Sequence, residues 1–543
     1  MYFFSFRQLF FGRKQDMSGL FKRQNVFDPG GDWAAPVLWY ARGVKAMKAR
    51  KLEDPTSWYF FGAMHGIWRE LWDFYNITTS ADAGPKPSDV ATYVDQCQHQ
   101  SWYFLPWHRG YLIALENMIR HEIKLQNGPH DTWALPYWNY FGTNQNVLPP
   151  AFRTADWPDG TGDNPLFVEQ RWGPLSSSTP FDVSSQTNLD PVGHPDFVGP
   201  GGGGSAGFGG LETGFNHGGG TNGELEMDPH NIIHGLVGGG HPTLSFPDGR
   251  PLPGLMSNPR TAGLDPIFYL HHCNIDRLWE SWNNFPVGKP ATKPTDWQNP
   301  TAPKWLNGPA SVGEREFAMP NPDESKWVYT PQKMQDITEL GYEYNDLTPG
   351  AIAPPITLAA RMANLGLSAV VGTQAGGQTM TKVEMIGASA GRMLLAGSGA
   401  MRSSIEMEPT GRARVSESLS AKPLAPALPD RVFLNLENVT GLHDAVIFQV
   451  YVGLPDGADP AENKGYLAGS VSLFGVSQAS DPAGKHAGNG ITFTLEITKV
   501  IDKLHLDHDF DVDKLSVDFV PLGNIPNAAK VSIGRISIYR QFE

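Results

Sequence analysis

Cysteine is almost absent. Cys97 and Cys273 are the only two in 543 residues, too few for a disulfide framework. Such sparing use fits a reducing compartment. Long apolar runs are also missing: no uninterrupted stretch of about 18 residues occurs, which argues against a membrane-spanning helix. There is no basic stripe. The chain carries 42 Lys and Arg against 56 Asp and Glu, for a formal net charge of −14. That balance disfavours nucleic acid as a partner, because phosphate binding needs clustered cations. The aromatic, basic N-terminus lacks both a clean apolar run and a small-residue cleavage site, so a signal peptide is not expected. Residues 1–16 read as a flexible or non-native extension ahead of a second candidate start at Met17, and the expected location is cytoplasmic.

What is present points to a globular protein with histidine chemistry. Hydrophobic content is 40% and charged content 18%, ordinary for a soluble fold, and the length calls for two or more domains. The most informative segment is Asp265 to Asp276, which contains the adjacent pair His271 and His272. Upstream, His230 and His234 are spaced i and i+4, which puts two imidazoles on one helix face. One of His271 and His272 would complete a three-nitrogen set. A second set, His65, His99 and His108, lies earlier. Two such sets suggest a paired metal centre, and all-imidazole ligation suits copper, zinc, iron or nickel.

Helical periodicity runs through residues 33–75, and a longer helix is expected over 102–125 with His108 near its start. Ala134–Tyr140 reads as a buried connection. Glycine dominates from Val198 to Gly223, which reads as a flexible surface loop between the histidine sets. Residues 349–428 are rich in Ala, Gly, Ser and Met, with few aromatics. They read as a flexible linker and possible cleavage region. From Asp430 the hydrophobic period becomes two, as in Val432/Leu434/Leu436 and Ile491/Phe493/Leu495, predicting an all-β domain over 429–543.

Four ordered segments carry a family resemblance. They are Cys97-Gln98-His99, Trp107-His108-Arg109-Gly110-Tyr111-Leu112, Pro229-His230-Asn231-Ile232-Ile233-His234, and Asp265-Pro266-Ile267-Phe268 with His271-His272 and Asp276-Arg277. Together they resemble the type-3 copper proteins: tyrosinases, catechol oxidases and hemocyanins. The likeness to the polyphenol oxidase branch covers most of the chain. Gly341-Tyr342-Glu343-Tyr344 resembles the motif that ends the catalytic domain there.

The resemblance implies a mainly α catalytic domain over 17–348, a helical bundle holding a dinuclear copper site, followed by an all-β, sandwich-like C-terminal domain that shields it. It implies two copper ions, one held by His65, His99 and His108 and one by His230, His234 and His272. His271 takes a supporting role. Cys97 is expected to form a thioether to the His99 ring, and Cys273 to pack in the core. Asp276, one turn beyond His272, is positioned to orient a ligand imidazole through its other nitrogen, with an ion pair to Arg277 or its neighbours as the competing reading. Asp265 before Pro266 suits a helix N-cap.

In the family, a glutamate and an asparagine at the positions of Glu226 and Asn231 are proposed to hold a water that deprotonates an incoming phenol; Glu224 is the competing candidate for the glutamate, and a solvated loop carboxylate the alternative reading of Glu226. A base helps because a phenol has a pKa near 10 and meets the metal best as phenolate. The implied activity is O2-dependent ortho-hydroxylation of monophenols and oxidation of o-diphenols to o-quinones, with phenolic small molecules and O2 as partners. Alternatives are a catechol oxidase without monophenolase activity, a hemocyanin-like O2 carrier, or a di-zinc or di-iron hydrolase. Leu255–Pro259, where plant relatives place a phenylalanine gate, has no aromatic, so a more open mouth is expected. A latent form would insert a side chain of the β domain into the site, though the sequence does not name it. His121, His130, His194, His217, His241, His443, His486, His505 and His508 read as structural or surface residues.

Overall fold

The computed structural model describes residues 19–79, 82–284, 298–350, 358–367, 381–420, 428–484, 487–510 and 513–542. Residues 1–16 and Met17 lie outside them. A short strand, β1 (Phe21–Arg23), leads into helix α1 (Ala35–Lys48), which carries Pro36 in its first turn and buries Val37, Tyr40, Ala41 and Val44. That i, i+3, i+4, i+7 spacing makes one apolar stripe. Helix α2 (Trp58–His65) starts at Ser57, whose hydroxyl accepts from the Phe60 N–H.

The long helix α3 (Phe104–Leu125) lies across α1, and the two approach at Gly43, where a Cβ would stand 2.8 Å from Ile119 Cδ1. After a long irregular segment and a two-residue strand β2 (Gly220–Thr221) comes α4 (Ile232–Gly238), then α5 (Pro266–Asn283). Asp265 caps α5 as its sequence suggests, accepting from the Ile267 N–H. The helices enclose an aromatic core that includes Trp58, Trp107, Trp138, Trp279 and Trp282. Strand β3 (Tyr342–Tyr344) returns to pair in parallel with β1 and closes this half.

The C-terminal half is built on one sheet. Its strands are β4 (Lys382–Ala388), β5 (Met401–Met407), β6 (Arg431–Val439), β7 (Ile447–Val452), β8 (Leu467–Ser472), β9 (Ile491–Glu496), β10 (Lys514–Pro521) and β11 (Arg535–Phe542). The strand order is β8-β7-β10-β5-β4-β11-β6-β9-β2, nine strands in all. The last, β2, comes from the helical half and pairs in parallel with β9, Gly220 opposite Ile491 and Thr221 opposite Thr492.

Two sequence expectations are corrected here. The linker reading of 349–428 fails for most of that span, because β4, β5 and helix α6 (Pro409–Leu419) belong to the β half. In these elements only a thin set of side chains faces inward, among them Ile386, Ile405, Met407, Val415 and Leu419. Their outer faces are polar, so composition resembles a linker although the strands are paired. The segment Leu358–Asn364 is docked as well: Arg361 donates to Asp502 and to the carbonyls of Pro429 and Asp430. The stretches 351–357, 368–380 and 421–427 lie outside the described residues.

The glycine-rich segment is the second correction. Rather than a free surface loop, it forms much of the seam between the halves, with Ser205, Ala206 and Phe208 buried. Gly203, at φ +101°, has the Tyr539 ring so close that a Cβ would stand 2.5 Å from it. Ser205 N–H donates to Gln541 Oε1 at 3.0 Å, and Asn435 Nδ2 to the Gly203 carbonyl at 3.1 Å. Among the described residues no helix is long and apolar enough to cross a membrane.

Candidate metal centre

The first histidine set converges where α2 ends and α3 begins. His65 is the last residue of α2, and its Nδ1 lies 2.7 Å from the Pro259 carbonyl. His108, one turn into α3, has Nδ1 2.8 Å from the Phe104 carbonyl. A carbonyl at Nδ1 fixes the proton there and leaves the Nε2 lone pair free. The two Nε2 atoms face each other at 3.5 Å. His99, on the loop before α3, brings its ring centroid to 5.2 Å from His65 and 5.4 Å from His108, with Nε2 buried and unpartnered.

The second set is tighter. His230 Nε2 and His234 Nε2 stand 3.2 and 3.4 Å from His272 Nε2. His234 Nδ1 is held 2.7 Å from the Met256 carbonyl, and His230 Nδ1 2.8 Å from Asn231 Oδ1. The i, i+4 spacing does its work although His230 precedes α4, in a wide turn kinked at Asp228. Of the adjacent pair, His272 is the one pointing inward. His271 stacks flat on the His230 ring at 5.4 Å. The two sets adjoin, with the His108 and His272 rings parallel and 4.5 Å apart.

Burial pushes all these imidazoles toward the neutral form: His65 and His230 down to about 3, and His99, His108, His234 and His272 well below the ordinary range. Neutral rings whose lone pairs converge cannot satisfy one another. The arrangement fits metal ions bound at Nε2, and an all-nitrogen donor set suits copper.

Asp276 does not orient a ligand imidazole. Its carboxylate accepts from Arg109 Nε at 2.5 Å, Arg23 Nη1 at 3.2 Å, and the hydroxyls of Tyr342 and Tyr344 at 2.7 and 2.5 Å. Burial alone would raise its pKa, but Arg109 and Arg23 outweigh that and hold it below the usual range. The competing ion-pair reading is nearer, with more distant partners: the cluster ties β1 and β3 to α3 and α5, a lock on the fold at the back of the site.

Glu226 is buried beside the second set. Its oxygens accept from the Gln100 N–H at 2.9 and 3.0 Å, and burial pushes its pKa up to about 8. Asn231 is engaged at both ends of its amide, to His230 and to Asn222 Oδ1 at 3.1 Å. Cys97 Sγ lies 3.4 Å from His99 Nδ1, beside the ring to which a thioether was expected. It also lies 3.1 Å from His217 Nδ1, a residue that sequence placed outside the site. Cys273 is buried in the core as expected.

The mouth is not open. Phe474, just beyond β8, stacks on His234 with centroids 4.1 Å apart and meets the His99 and His230 rings edge-on at 5.7 Å. No spacing rule links it to the histidines, which is why sequence did not find it. Its loop is anchored by Asp444, which accepts from Ser477 N–H at 2.8 Å and from Asn258 Nδ2 of the helical half at 2.6 Å.

Comparison with known proteins agrees with this geometry. The common central domain of tyrosinase matches residues 55–200 and 203–285, and a domain of unknown function matches 382–541. A tyrosinase of Hahella sp. (strain CCB-MM4) is 28% identical over 96% of this chain and 99% of its own length. Polyphenol oxidase C of Solanum lycopersicum, a chloroplastic protein, is 26% identical over 81% of this chain and 62% of its own length. Latent apple tyrosinase shares the fold with a TM-score of 0.57 at 20% identity, covering 96% of this chain and 97% of that one. Latent aurone synthase does so with a TM-score of 0.56 at 18% identity, covering 98% and 91%. The segment 55–285 is thus a tyrosinase central domain whose paired histidine sets are fit for two coppers, and the chain as a whole, β domain included, is similar to tyrosinases and polyphenol oxidases.

Proposed function

We propose that the protein is a latent tyrosinase that ortho-hydroxylates monophenols and oxidises o-diphenols to o-quinones. His65, His99 and His108 would hold one copper, and His230, His234 and His272 the other. When bound, the copper pair supplies O2 activation and the electron-accepting chemistry. The chain does the rest. Backbone carbonyls at His65, His108 and His234, and Asn231 at His230, pin the Nδ1 protons, so these four rings are aimed before metal arrives. The buried aromatic walls, including Phe268 against His272 at 4.0 Å, exclude water from the reacting ring.

The observation that carries the monophenolase reading is Glu226, a buried carboxylate beside the second set whose pKa is raised to about 8 by burial. Its ionised form is a stronger base than an ordinary carboxylate and takes the phenol proton increasingly as pH rises toward that value. Phe474 supports latency, because its ring occupies the space over His234 that a substrate ring needs. Cys97 is read as linked to His99 in the mature enzyme.

The test is Glu226→Gln in a copper-loaded chain, measured with a monophenol and its o-diphenol separately. The monophenol rate is expected to fall roughly 100-fold or more, with diphenol oxidation retained. Equal loss on both substrates would remove Glu226 from the deprotonation step. Quinone from the diphenol alone in the parent chain would make the enzyme a catechol oxidase.

A further inference from the structure

Behind His230 lies a polar cluster whose hydrogen-bond directions can be worked out completely. If Nε2 of His230 faces metal, its Nδ1 carries the proton and donates to Asn231 Oδ1 at 2.8 Å. The Asn231 amide is thereby oriented, and its Nδ2 donates to Asn222 Oδ1 at 3.1 Å. A second route arrives independently. Gly219 N–H donates to Gln100 Oε1 at 2.8 Å, so Gln100 Nε2 is the donor to Asn222 Oδ1 at 2.9 Å. Both routes make Asn222 Oδ1 the acceptor. Asn222 Nδ2 is then a donor, and it is buried with no protein partner in a residue 2% exposed. Glu226 belongs to the same cluster, taking the Gln100 N–H and lying 3.5 Å from Gln100 Nε2.

We infer that Asn222 is a positioning residue for phenol deprotonation, its amide fixing Asn231 and Gln100 while its spare donor holds the hydroxyl oxygen that Glu226 serves, and that the C-terminal sheet keeps it there. This rests on the role proposed for Glu226 and Asn231. The sheet enters because Asn222 directly follows Gly220–Thr221, the strand that pairs with Ile491–Thr492 of β9. The β domain therefore does two things at once. It covers the copper mouth with Phe474, and it clips in place the backbone that carries Asn222. Displacing the domain frees both, so monophenolase and diphenolase activities respond differently to it.

The experiment compares Asn222→Ala, Thr221→Pro and Glu226→Gln in the full, copper-loaded chain. Asn222→Ala is expected to lower the ratio of monophenol to diphenol kcat by ~10-fold or more, less than the loss of the base itself would cause. Thr221→Pro, which disturbs the clip while sparing Asn222, is expected to shift the ratio the same way. A folded Thr221→Pro chain with an unchanged ratio removes the sheet from the proposal. If Glu226→Gln lowers the ratio and Asn222→Ala does not, the role of Asn222 is overturned while the base reading stands. If Glu226→Gln leaves the ratio unchanged, the base reading itself fails. A readout independent of turnover is a high-resolution crystal structure of the metal-free parent chain. It should show an ordered oxygen on Asn222 Nδ2, and a bare Nδ2 overturns the inference even where the variants do not fold.

Discussion

Replacing Phe474 with alanine removes the ring that stacks on His234 at 4.1 Å and 26°. The side chain is 1% exposed, so closing the mouth gains the burial of a full phenylalanine, about 1.5–3 kcal/mol. The aromatic pairing adds about 0.5–1.5 kcal/mol. A closed state weakened by about 2–4 kcal/mol raises the open population by about 30-fold or more while that population is small. The loop stays tethered by Asp444 to Asn258 and Ser477, which keeps the gain toward the lower end, ~10- to 100-fold. The assay is quinone formation from a small o-diphenol by the copper-loaded full chain. Copper content and thermal unfolding are measured beside it, because a Phe→Ala change in a core costs about 3–5 kcal/mol. The gain is expected in kcat/KM and should be larger for bulky diphenols. A folded variant with full copper and kcat/KM within about twofold of the parent would refute the view of Phe474 as the barrier.

Asp276→Asn should destabilise the fold by about 3–5 kcal/mol, because it leaves Arg109 and Arg23 under-compensated in the core. Thermal unfolding checks this, and loss of copper from a folded variant would return Asp276 to an imidazole-orienting role. The metal-free protein should weaken in mild acid. His65 and His230 are held at about 3 when folded, against an ordinary value of about 6.5, so between those limits the unfolded chain binds more protons. Stability then rises with pH across that window and falls on acidification. Glu226 and Asp228, pushed up by burial to about 8 and about 7, have the opposite sign, with stabilisation lost as pH rises from the ordinary carboxyl range to those values, but they are two groups against the six depressed histidines of the two sets. The urea midpoint of the metal-free protein should fall between pH 7 and pH 5, and an unchanged midpoint would contradict the depressed histidines.

The metal centre was legible because its chemistry is written in local spacing. His230 and His234 lie one turn apart, so local geometry alone brings these two together, and His272 joins them from α5. The choice of His272 over His271 came from family likeness; His272 Nε2 faces the Nε2 atoms of His230 and His234, while His271 also lies close to the set. Asp276 misled by its spacing: one turn from His272 is the right distance, but Arg109 and Arg23 arrive from α3 and β1 and take the carboxylate. Phe474 and Asn222 were illegible because each reaches the site across the domain seam or a long loop; Gln100 directly follows His99, but its residue type gives no sign of a role. The strands β4 and β5 were missed because a strand that buries only a few side chains on one face looks compositionally like a linker.

Strand β2 also bears on what happens when the connecting segment is cut. With β2 in place, the outer edge of β9 has partners over Ile491 and Thr492. Pulled away, that edge would present unpaired N–H and C=O groups, a template for any extended chain nearby. A nicked molecule therefore has reason to stay together, its β domain swinging aside on other contacts rather than departing. A domain that did depart would be prone to self-association, and the first visible sign of activation in a concentrated sample would be turbidity as well as colour.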